Sequence, residues 1–199
     1  MVALLSRPHQ SSPHNFDKIL ILRPGGIGDA VLLIPAIHAL RKKYPDTAID
    51  VLAEKRNAAI FRMCPVINQV LLYNQGGLLQ VLRSRYDVVI DSEQWHRLTA
   101  VVTRLVRAGV RIGYGTNERR KLYSHVIDYH HDCYELQSFF DLLRPLAVEL
   151  LAGNITEPFL DIFGDEKQQV ERLLGDFEER RYIVLFPGAS IPERHWGAE

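Results

Sequence analysis

Lys18-Ile19-Leu20-Ile21-Leu22-Arg23 is apolar at consecutive positions, so a strand built from it must be covered on both faces. It stops at Pro24-Gly25-Gly26. Residues 29–44 then carry apolar side chains at helical spacing, a basic last turn at Arg41-Lys42-Lys43, and Pro45 just beyond, the signature of a helix that ends there. A doubly covered strand, a glycine turn and a helix, in that order, leave few folds open. Pro35 falls inside the helical stretch and predicts a kink or an early irregular turn.

The alternation continues along the chain. Strands are predicted at 48–53, 69–73, 86–91 and 110–114, and helices at 57–63, 78–83, 94–108 and 134–150. The last of these helices would set Phe139, Leu142, Leu143 and Leu146 on one face. Repeated β-α units of this length give the α/β class, a Rossmann-like parallel sheet with helices on both faces. The expected organisation is a flexible tail at 1–16, a Rossmann-like domain at 17–152, and a connector with an amphipathic helix at 153–180. Residues 181–199 open a second strand-loop-helix unit, with a strand at 182–186, and the chain ends as that unit begins.

Composition removes several classes. The chain has 199 residues, Lys+Arg 24 against Asp+Glu 24, and 47% hydrophobic residues, which is globular rather than disordered. Balanced charge argues against a general nucleic-acid binder. Cys64 and Cys133 are far apart, so no disulfide framework is expected and a reducing cytoplasm is the simpler setting. No apolar run reaches the ~18 residues of a membrane helix, and Arg7, Pro8 and Pro13 interrupt any signal-peptide core.

Three groups could carry chemistry. The first is Arg23-Pro24-Gly25-Gly26-Ile27-Gly28-Asp29. Gly25, Gly26 and Gly28 let the backbone approach a ligand at a helix N-terminus, and Asp29 is either a helix cap or a functional carboxylate in the crevice at the strand ends. The second is a basic stretch in which Arg97, Arg119 and Arg120 are placed to hold an anion at that edge, while Arg104 and Arg107 belong to a solvated helix face. The third is Pro187-Gly188-Ala189-Ser190, followed by Arg194. It has the layout of a phosphate cradle, or of a plain turn with Ser190 as N-cap. Val31 stands where a dinucleotide fingerprint needs glycine, and no Walker loop or nucleophile elbow is present. His130-His131-Asp132-Cys133 lacks the spacing of a metal site.

Together these pieces resemble glycosyltransferase family 9, the heptosyltransferase family of lipopolysaccharide core assembly. The resemblance lies in residues 18–54, in YDVVIDSEQWHRLTA at 86–100 and in YIVLFPGASIPERHW at 182–196. It implies the N-terminal half of a GT-B glycosyltransferase: an acceptor domain at 17–152 and the start of a truncated nucleotide-sugar domain at 181–199. The implied activity is transfer of heptose from ADP-heptose to an anionic lipopolysaccharide core, inverting and without metal or other cofactor. By the same resemblance Asp29 is the catalytic base, Gly188, Ser190 and Arg194 bind the donor phosphates, and Arg97, Arg119 and Arg120 bind the acceptor. The implied place is the cytoplasm, with peripheral contact at the inner membrane through the acceptor. This chain alone is expected to lack turnover and to self-associate through its unfinished C-terminal part. A nicotinamide-dependent Rossmann oxidoreductase and a non-catalytic sugar-binding module are the alternatives.

Overall fold

The computed structural model describes residues 16–150, 160–162, 164–174, 183–185 and 188. Six strands form one sheet: β1 Lys18–Arg23, β2 Ala48–Ala53, β3 Gln69–Leu72, β4 Arg85–Asp91, β5 Arg107–Tyr114 and β6 His125–Ile127. The strand order is β3-β2-β1-β4-β5-β6, and every pair is parallel. The expected α/β class, a Rossmann-like parallel sheet, is what the chain adopts.

Consecutive residues of β1 serve opposite faces, which is why the run is apolar throughout. Ile19 and Ile21 pack with Ala30, Ile34 and Ile37 of α1 (Ile27–Lys43) and with Phe139 and Phe140 of α5 (Glu135–Asp141). Leu20 and Leu22 pack on the other face with Val81 of α3 (Leu78–Arg83) and Val102 of α4 (Arg97–Leu105). The short α2 (Ala58–Arg62) adds Phe61 to the first face. Helix α1 runs unbroken through Pro35, contrary to the expected irregularity. Proline removes one backbone bond, and Leu33, Ile34, Ala36 and Ile37, all buried, hold the turns around it.

Other departures have local causes. The helix expected at 94–108 covers only α4, because the Glu93 carboxylate accepts the N–H groups of Trp95 (2.9 Å) and His96 (3.2 Å) ahead of it. At the other end Val106 turns extended into β5. The long helix expected at 134–150 stops at Asp141, four residues before Pro145, whose missing N–H would have bonded the Asp141 carbonyl; a 3-10 turn, Arg144–Leu146, follows. Strand β6 was not expected. Phe16, placed in the flexible tail, packs against the core with its ring 5.1 Å from that of Tyr44, while residues 1–15 lie outside the described ones.

Residues 162–199 form a separate compact unit. Within it α6, Gly164–Leu174, matches the first part of the amphipathic helix expected to 180. Of the strand expected at 182–186, Ile183, Val184 and Leu185 are described; they are exposed and pair with no strand among the described residues. Among the described residues no helix is long and apolar enough to cross a membrane.

Candidate active site

In a doubly wound sheet the ligand crevice opens outside the strand carboxyl ends where the strand order reverses, here between β1 and β4. Ser92, just past β4, closes the two strand ends together: its N–H (3.1 Å) and its hydroxyl (2.8 Å) both donate to the Leu22 carbonyl. A cleft of about 310 Å³ opens above this junction, lined by the 23–26 turn, Asp29, Glu54, Arg56, Glu93, Gln94 and His96.

Arg23 organises the cleft. As the last residue of β1 its side chain is only 2% exposed, yet it turns back across the glycine turn rather than out into solvent. Nη1 donates to the Ser92 carbonyl (2.7 Å) and more weakly to Gln94 Oε1 (3.5 Å), and Nη2 donates to Asp29 Oδ2 (2.6 Å). The guanidinium lies 5.6 Å from the centre of the Phe139 ring, a distance suited to a cation–π contact. Gly25 makes this path available. It has φ +104°, and a β-carbon there would stand 3.2 Å from Arg23 Nη2, so both its backbone and its lack of a side chain are used.

Asp29 sits in the first turn of α1 and is 43% exposed. Its carboxylate lines the cleft, where it accepts the hydrogen bond from Arg23. Arg23 takes Oδ2, and no hydrogen bond reaches Oδ1 among the described residues. Gly26 is the extended residue at the helix N-cap, and Gly28 has open space where its side chain would be.

A polar relay continues behind Arg23. Gln94 donates to Glu135 Oε1, and Tyr129 donates to Glu135 Oε2 (2.8 Å). Burial, then the Glu135 carboxylate, push Tyr129 up to about 12, so it remains a donor at neutral pH. Gln94, Tyr129 and Glu135 were not singled out from the sequence. Arg23 was seen only as part of the glycine motif, although a charge ending an otherwise apolar strand was the available signal.

The three arginines expected at the rim separate. Arg97 is exposed and fixes the loop after β5, donating to the Asn117 carbonyl (3.1 Å) and to Glu118 (2.6 Å). Arg120 is exposed and paired with Asp128 (2.9 Å). Arg119 does not belong to the rim. The 3-10 turn Arg119–Leu122 points it inward, fully buried, where Nη2 meets Asp91 Oδ2 (2.8 Å) and the Tyr123 hydroxyl (2.6 Å). Burial raises Asp91 above the ordinary carboxylate range, and Arg119, then Tyr123, oppose that rise. Gly188 is exposed; Ser190 and Arg194 lie outside the described residues. Among the described residues no cluster of three His, Cys, Asp or Glu side chains could hold a metal ion.

The model of glycosyltransferase family 9 (heptosyltransferase) matches residues 76–199. Lipopolysaccharide heptosyltransferase 3 of Escherichia coli is 30% identical over 148 residues, which cover 65% of this chain and 43% of that protein. The crystal structure of a family 9 glycosyl transferase from Veillonella parvula superposes with a TM-score of 0.72 at 16% identity, covering 94% of this chain and 57% of the other. The E. coli heptosyltransferase WaaC with ADP-2-deoxy-2-fluoro heptose gives a TM-score of 0.59 at 17% identity, covering 68% of this chain and 50% of that one. The two solved structures share the fold. The chain spans about half the length of these relatives.

Proposed function

The chain belongs to glycosyltransferase family 9, the heptosyltransferases, and on that premise we propose that it forms the acceptor side of an enzyme that transfers heptose from ADP-heptose to an anionic lipopolysaccharide core. The reading of the donor is supported by the relative that binds an ADP-heptose analogue, and that of the acceptor by the lipopolysaccharide heptosyltransferase sequence.

Asp29 is the general base. An acceptor hydroxyl in the cleft donates its hydrogen bond to Oδ1, the oxygen that Arg23 leaves open. As that hydroxyl oxygen attacks the anomeric carbon, its proton passes to the carboxylate and the bond from that carbon to the ADP oxygen breaks, with the electron pair leaving on the diphosphate. Attack opposite the departing group inverts the configuration. Gly188, Ser190 and Arg194 meet the charge that develops on ADP, a task a metal performs in other transferases. Arg97 and Arg120 hold anionic groups of the acceptor, and the reaction is placed at the cytoplasmic face of the inner membrane. The observation that carries the base assignment is the 2.6 Å contact by which buried Arg23 turns a half-exposed Asp29 carboxylate toward the crevice.

The test is made in a chain carrying both halves of the transferase. Asp29→Ala lowers kcat by ~10²–10⁴ with little change in acceptor KM, the loss expected for a missing general base. Asp29→Asn falls with it. Near-normal kcat in a folded Asp29→Asn enzyme rejects the assignment.

A further inference from the structure

Helix α4 keeps an apolar stripe on its outside. Leu98 is 68% exposed, Val101 44% and Leu105 62%, whereas Thr99, Ala100, Val102 and Thr103 are buried against the sheet. At ~100° per residue the three exposed side chains fall within ~60° of the helix circumference, and Arg97 and Arg104 run along one border of them. Trp95, 59% exposed, stands at the N-terminal end of the stripe.

The surroundings of the stripe are basic. Residues 94–117 hold Arg97, Arg104, Arg107 and Arg111 and no Asp or Glu, in a chain whose charges balance overall. Glu118 pairs with Arg97 in an exposed contact, and Arg104 and Arg107 form no ion pair among the described residues. Arg111 caps the end of the helix by donating to the Thr103 (3.1 Å) and Val106 (2.9 Å) carbonyls. Burial and then the nearby Arg104 charge lower its pKa, so positive charge gathers at this end of α4.

We propose that the outer face of α4 docks on an anionic lipid bilayer. Leu98, Val101 and Leu105 enter the headgroup–acyl boundary while the arginine stems lie along the surface with their heads at the phosphates. Trp95 sits at the polar–apolar interface that indole rings favour. A second copy of the chain fits less well. The stripe offers on the order of 300 Å², against the ~800 Å² each partner of a stable interface covers, and a two-fold contact there would set Arg97 and Arg104 against their own copies.

Co-sedimentation with vesicles tests the docking without donor or acceptor, so its result is independent of the transfer reaction. The chain partitions at least ~tenfold more strongly onto equal parts phosphatidylglycerol and phosphatidylcholine than onto phosphatidylcholine alone, and raising salt from about 50 to about 300 mM weakens the binding. Leu98→Gln/Leu105→Gln and Arg104→Gln/Arg107→Gln each lower the partition about tenfold with unchanged far-UV circular dichroism. Equal partition onto both vesicles overturns the proposal. So does binding that survives Leu98→Gln/Leu105→Gln but is lost in the arginine variant, the behaviour of a site for a soluble polyanion. A wild-type dimer in sedimentation equilibrium that Leu98→Gln/Leu105→Gln dissolves overturns it in favour of a second copy.

Discussion

Replacing Arg119 by methionine removes a guanidinium that is fully buried and leaves the equally buried Asp91 carboxylate with two donors, the Tyr123 hydroxyl at 2.7 Å and the Glu93 N–H at 3.1 Å. Breaking a buried pair from one side costs about 3–5 kcal/mol, because the remaining charge has lost its partner without regaining water. Part of that cost depends on pH. Burial raises Asp91, and Arg119 is the largest influence holding it down, so the variant's folded-state pKa rises further above the unfolded value of ~3.9. A raised folded pKa means that the folded state holds the proton longer. Stability is therefore kept below the unfolded value and lost as pH climbs through the folded one, at about 1.4 kcal/mol per unit of separation. The penalty of Arg119→Met is thus smaller at acid pH and grows as pH rises. Asp91→Asn/Arg119→Met recovers most of it by removing the stranded charge. Urea unfolding followed by far-UV circular dichroism at pH 5 and pH 8 measures both effects. A loss below about 1 kcal/mol at pH 8, or one equal at the two pH values, would refute the burial argument.

Arg97→Ala and Arg120→Ala each weaken binding of a soluble, phosphorylated acceptor fragment by ~1.5–3 kcal/mol in calorimetric titration. That binding falls as salt rises, while Arg104→Ala leaves it unchanged; equal affinities for all four proteins would reduce the rim to surface charge. Gly113→Ala destabilises the sheet by about 1–3 kcal/mol, because the added carbon would stand 2.4 Å from the Tyr123 ring, and an unchanged melting temperature would contradict that packing.

The β1–turn–α1 unit was legible because each step depends on neighbours in sequence: an apolar run, a glycine turn, then helical spacing. The strand order was not. Placing β4 beside β1 depends on contacts some seventy residues apart, such as Ile19 opposite Val88, and no local pattern encodes that pairing. Arg119 and Arg120 show the same limit at the site. Adjacent in a basic run, they look equivalent, and only the 3-10 turn sends one to Asp91 and the other to solvent. Pro145 was readable and marked the end of α5. The Arg23–Asp29 contact needed the structure, since it requires the strand's last side chain to fold back over Gly25.

Arg23's short contact behind Asp29 ends on the backbone carbonyl of Ser92, and every residue type offers that carbonyl. An exchange at position 92 that leaves the backbone in place keeps that acceptor. In the segment immediately downstream His96 lines the crevice, and Trp95, His96 and Arg97 are all exposed. The fold thus separates heritable change in what the crevice accepts from the aim of its carboxylate. Rim side chains can therefore change while the Arg23–Asp29 pair keeps its geometry.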